Sequence, residues 1–150
     1  MGGDIAFGGH PDEYAKARDW LASLIEASQC PESAVWIVPG NHDIDRAIVK
    51  SSEIISACYT AMRTCTVEEI TPTMRRRLYG DPASAALVEH LRAYNDFARL
   101  RGCAVRANCP HWEDRLELDG ETILLWGLNS VLCSAHRRSG ASRISGTSGM

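Results

Sequence analysis

The chain has 150 residues, 45% hydrophobic, 23% charged and 7% aromatic, with a formal net charge of −3. That composition suits one soluble globular domain, long enough to bury a core without disulfide staples and too apolar for intrinsic disorder. The weak negative charge excludes a broad basic face for nucleic acid, and no apolar run approaches the roughly 18 residues of a membrane span.

From Pro11 to Ser28, Tyr14, Ala17, Leu21, Leu24 and Ile25 recur at helical spacing, so an amphipathic helix is expected over 11–28. Pro11 suits its first turn, Asp12 and Glu13 complement its positive end, and Pro31 forbids continuation beyond Cys30. The run Ala34-Val35-Trp36-Ile37-Val38 is apolar without alternation and stops at Pro39-Gly40-Asn41, which predicts a strand covered on both faces. A second helical pattern covers 46–64, and Thr66 to Glu69 has capping-box spacing for a short third helix before Pro72. A fourth helix is expected over 82–101, capped by Asp81, striped by Leu87, Leu91, Tyr94 and Ala98, and stopped by Gly102. Arg115 to Leu118 and Glu121 to Leu128 flank Asp119-Gly120, a dipeptide that predicts a tight hairpin.

Residues 134–150, rich in Ser, Gly and Arg, are expected to form a flexible tail. Arg75 to Arg77, with Arg137, Arg138 and Arg143, read as solvated basic runs. Met1-Gly2-Gly3-Asp4 has neither a basic nor an apolar leader, so a cytoplasmic location is expected. The six cysteines (Cys30, Cys58, Cys65, Cys103, Cys109 and Cys133) form no C-x-x-C pair and suit reduced, buried thiols.

Two segments depart from core-building: Gly3-Asp4-Ile5-Ala6-Phe7-Gly8-Gly9 and Pro39-Gly40-Asn41-His42-Asp43. Each puts polar side chains on a glycine-rich turn, and the second delivers Asn, His and Asp where an apolar segment ends. An amide oxygen can ligate a hard cation, an imidazole can contact a phosphate or leaving group, and a carboxylate can fix the imidazole tautomer. As plain turn chemistry, Gly-Asn would be a turn and His-Asp a solvated pair.

Taken together, GD-x-A-x-x-G, a helix, and an apolar run ending in GNHD resemble the calcineurin-like metallophosphoesterases of the bacterial type. The resemblance is good over residues 3–46 and thin over 112–130, where ILLWGLNS is similar to a later strand of that family. It implies hydrolysis of phosphomonoester or phosphodiester bonds by a metal-activated hydroxide at two divalent ions (Mn, Fe or Zn). It also implies that Asp4 bridges the two ions, Asn41 ligates one, His42 contacts the phosphate and assists the leaving group, and Asp43 orients His42. The expected partner is thus a phosphoester substrate, with no membrane and no strong sign of nucleic acid.

The family's Asp-x-His has no counterpart before Asp4, and its isolated His and Gly-His-x-His have none after it. Holding Asp4 at the rim of a sheet takes an upstream strand of about five residues, and only three precede it. One catalytic zinc takes about three protein ligands plus water, whereas Asp4 and Asn41 are two. His10, His90, His111 and His136 lie off the family motifs; His10 is expected to be solvated or capping, and the others to lie on the surface. The architecture expected is an incomplete layered α/β fold over 1–133, its sheet holding 34–38 and 123–128 between helices 11–28 and 82–101, with a helical excursion over about 46–110. Two readings stand: part of a phosphoesterase whose other ligands lie outside these residues, inactive alone, or a catalytically dead remnant acting as a binding or regulatory module.

Overall fold

The computed structural model describes residues 1–79, 83–132 and 134. The expected first helix is α1, Pro11–Ser28, with the proline in its first turn, where a missing N–H leaves no bond unmade. It stops at Gln29, whose left-handed φ of 53° lets its N–H reach the Glu26 carbonyl at 3.3 Å. Tyr14 and Leu21 are its buried residues.

The pattern over 46–64 resolves into α2, Arg46–Ser51, and α3, Glu53–Thr64. Ser52 divides them, because its Oγ accepts the Ile55 N–H at 3.3 Å and so caps the second helix. The capping box forms as expected: the Thr66 N–H donates to Glu69 Oε2 at 3.1 Å and the Glu69 N–H to Thr66 Oγ1 at 3.3 Å. The helix it opens, α4, Val67–Tyr79, does not stop before Pro72 but runs through it. One lost backbone bond is outweighed by the turns that follow, which bury Thr73 and Leu78.

The stripe Leu87, Leu91, Tyr94 and Ala98 is fully buried, yet the expected single helix is α5, Ala83–Glu89, and α6, Arg92–Ala98, followed by a 3-10 turn at Arg99–Arg101. The break falls at His90, whose carbonyl is occupied by the Asp45 N–H at 2.9 Å. Gly102 closes the run with φ 66°. The caps expected from Asp81 and Pro82 lie outside the described residues, as do the tail beyond 134, Cys133 and His136. Helices α3, α4 and α5 pack together and α1 packs on α6, around a core of Ile55, Cys58, Leu87, Leu91, Tyr94 and Phe97.

The hairpin is β1, His111–Leu118, and β2, Glu121–Leu128, with Asp119 and Gly120 both at positive φ. Its first strand starts four residues before the expected Arg115, and His111 is half-buried, not on the open surface. Among the described residues these two antiparallel strands are the whole sheet. The fold is therefore α/β in the general sense of helices plus a small antiparallel sheet.

Ala34–Val38 is not a strand of that sheet. Ala34 ends a 3-10 turn, Glu32–Ala34; Val35 after it is extended, residues 36–38 belong to no helix or strand, and Ile37 is buried. Side chains occupy the backbone groups that a ladder would use. The Ile37 carbonyl accepts Tyr94 Oη at 3.2 Å and Trp112 Nε1 at 2.8 Å, and its N–H lies 3.5 Å from Cys103 Sγ. On the other side Met1 N donates to the Trp36 carbonyl at 2.6 Å and the Val38 N–H donates to the Met1 carbonyl at 3.3 Å. Cys58 and Cys103 are buried thiols as expected, whereas Cys109 is exposed. No helix among the described residues is long and apolar enough to cross a membrane.

Candidate functional site

The two glycine-rich segments meet. Asp4, at a left-handed φ of 55°, accepts the His42 N–H on Oδ1 at 2.9 Å across 38 residues of sequence. Short polar side chains tolerate that backbone region best among non-glycine residues. Gly40 is the reason the two segments can touch: a Cβ there would fall on the Asp4 backbone nitrogen, which cannot swing aside as the carboxylate next to it can. Gly40→Ala is therefore expected to cost about 1–3 kcal/mol of stability by overpacking. It should also separate Asp4 from His42, which a loss of the His42 amide's protection from hydrogen exchange would register.

Asp43 is fully buried and serves as the anchor of both segments. Its Oδ1 accepts the Ile5 N–H at 3.1 Å, the Ala6 N–H at 2.9 Å and the Tyr14 hydroxyl at 2.7 Å, while Oδ2 accepts the Gly40 N–H at 2.8 Å. Burial, followed by the Asp43 charge, pushes the Tyr14 phenol far above its ordinary range, so Tyr14 stays a donor throughout the working pH range. A second brace comes from α1: Glu13 Oε2 accepts the Gly8 and His10 N–H groups at 3.0 Å each. His10 is exposed at the start of that helix.

The His42 ring is held by a carbonyl rather than by Asp43. Its Nδ1 lies 2.9 Å from the Phe7 oxygen, and because a carbonyl only accepts, Nδ1 carries the proton. Nε2 is then the nitrogen left to meet a substrate. The exposed Phe7 ring stacks on the imidazole, with centroids 5.4 Å apart and planes inclined by 29°. Asn41 is exposed, and its amide makes no hydrogen bond with the described residues.

Asp4, Asn41 and His42 thus lie on one accessible corner, with Asp43 beneath it. Tyr14, Glu13 and Phe7 belong to the same corner and were not singled out by the sequence. A buried tyrosine needs a partner for its hydroxyl, and that requirement is the signal by which Tyr14 could have been found. The exposed carboxylate of Asp4 and the unengaged amide of Asn41 are hard oxygen donors suited to a divalent cation. They are two donors, and among the described residues no three His, Cys, Asp or Glu side chains gather to hold a metal ion. Comparison with models of protein families, with curated proteins and with solved structures finds no match to the chain.

Proposed function

We propose that the chain carries part of a metal-dependent phosphoesterase centre of the calcineurin-like type, inactive on its own, in which Asp4 and Asn41 hold divalent metal and His42 meets the phosphate. The observation that supports this reading best is the Asp4 carboxylate bonded to the His42 backbone at 2.9 Å, with Gly40 packed against it. Ordinary turns have no need to converge in this way.

When bound, metal ions at this corner would supply an activated hydroxide and neutralise phosphoryl charge. The chain's own residues do the rest. The Phe7 carbonyl keeps the proton on Nδ1, so Nε2 of the neutral ring accepts a hydrogen bond, and the protonated ring donates one to a phosphoryl or leaving-group oxygen. Asp43 ties the segments carrying Asp4 and His42 to α1 through Tyr14, which limits their relative motion.

With only these two donors in hand, metal binding should be weak and an aryl phosphodiester should be turned over barely above background. The roles are separable by NMR titration with Mg²⁺ and inorganic phosphate. Mg²⁺ alone should shift the Asp4 and Asn41 amides, and phosphate should shift the amides of residues 41–43 only once Mg²⁺ is present. Asp4→Ala should lose both responses and His42→Ala the phosphate response alone. Equal phosphate shifts in all three proteins, or none in the parent chain, would remove the support for this reading.

A further inference from the structure

β2 reads as a strand meant to be covered, yet it is the outer strand of its hairpin. The register puts Trp112, Asp114, Leu116 and Leu118 of β1 and Glu121, Ile123, Leu125 and Gly127 of β2 on one face. This face leans on the body of the protein through Trp112, which is 8% exposed and donates from Nε1 to the Ile37 carbonyl at 2.8 Å.

The opposite face is divided. Its β1 row, His111, Glu113, Arg115 and Glu117, is largely charged, as a solvated row should be. The β2 row is Thr122, Leu124, Trp126 and Leu128, and its three apolar members are 60%, 59% and 67% exposed. The apolar row is the one beside the free edge, for β2 pairs only with β1 among the described residues. Open strand edges are normally blunted by charge, proline or a bulge, and β2 has only Glu121 at its start.

We propose that β2 is the interface of a symmetric dimer, in which two copies of this chain pair β2 to β2 antiparallel and extend the hairpin to four strands. The row is self-complementary in register, which points to a second copy as the occupant. A two-fold axis at Leu125 would set Leu124 of each copy opposite Trp126 of the other, joining the two apolar rows at the centre. The charged β1 rows then fall at the two outer margins. Antiparallel pairing also holds the two Glu121 carboxylates at opposite ends of the interface, whereas parallel pairing would set them side by side. The chain's own residues 135–150 are a poor match for the row, since Ile144 and Met150 are their only large apolar side chains. On the β1 side, Trp36 Nε1 binds the Asp114 carboxylate at 2.7 Å, so that strand already has a contact with the body of the protein.

Sedimentation velocity on the full chain, from about 5 to about 200 µM, tests the pairing. A reversible monomer–dimer equilibrium is expected. Leu124→Lys and Trp126→Lys, both at exposed positions, should each weaken it by about tenfold or more without changing the circular dichroism spectrum. Hydrogen exchange of the β2 amides should slow as concentration rises, and that of α3 should not. A chain that stays monomeric throughout, a dimer indifferent to both lysines, or open-ended aggregation would overturn the proposal. So would a dimer that appears only after residues 135–150 are deleted, since the occupant would then be the chain's own tail.

Discussion

Asp43→Ala is expected to destabilise the protein by about 3–5 kcal/mol, a large share of the roughly 5–15 kcal/mol that holds a domain of this size together. The substitution removes the single acceptor for four donors (the Ile5, Ala6 and Gly40 N–H groups and the Tyr14 hydroxyl) at a site sealed from water. Water cannot replace the carboxylate there without opening the corner. Tyr14→Phe deletes one of those bonds and leaves the other three, so its cost should be smaller, about 1.5–3 kcal/mol. Urea unfolding of the three proteins gives the comparison. Equal losses for the two variants, or an Asp43→Ala protein within about 0.5 kcal/mol of the parent, would show that the carboxylate is not the anchor.

Acid should weaken the fold through His90, and His90→Phe should abolish that component. The ring is 1% exposed, and among the described residues neither of its nitrogens has a hydrogen-bond partner. Burial, only partly opposed by the nearby Asp45 charge, brings its pKa from 6.5 down to about 4. The Tyr59 ring also faces it, edge-on at 6.2 Å. The folded state therefore holds this histidine neutral while the unfolded chain takes up a proton below pH 6.5. Stability is unaffected above that value and falls as the pH drops from 6.5 towards 4, by about 3 kcal/mol in all from this group. Carboxylates contribute in the same window, so the informative quantity is the difference between parent and His90→Phe. That difference should grow steadily from pH 7 to pH 4. Parallel curves would mean that His90 is hydrated or partnered in solution.

The sequence made His90 look like a surface residue because Glu89 precedes it and Arg92 follows two residues on. Helical period shows the error: His90 lies three residues after Leu87 and four before Tyr94, on the stripe already assigned to the core. α1 was legible to its ends, since Pro11 and the stripe from Tyr14 leave little freedom. The hairpin was legible from Asp119-Gly120, because few dipeptides tolerate two positive φ angles in succession.

The segment 34–38 was not legible as what it is. A central strand and an extended segment enclosed by side chains bury the same residues, so an apolar run does not distinguish them. The difference lies in Tyr94, Cys103 and Trp112, which reach the Ile37 backbone from 57, 66 and 75 residues away. Pro72 misled for a related reason, because tertiary burial of the following turns overrode a local stop signal. At the corner, the approach of Asp4 to Asn41-His42-Asp43 was expected from the resemblance of the two motifs to those of the calcineurin-like family. Nothing in the spacing could say that a backbone carbonyl, that of Phe7, would hold the His42 ring while Asp43 held the loops.

Whether that corner gathers divalent metal is decided most directly by amide NMR with substoichiometric Mn²⁺, whose unpaired electrons broaden signals within roughly the width of a small domain core. The resonances of Asp4, Asn41 and His42 should broaden first and together, and Asp4→Ala should erase the selectivity. Broadening centred on another acidic surface, or spread evenly over the chain, would leave Asp4 and Asn41 as structural turn residues and remove the ground for a phosphoesterase centre.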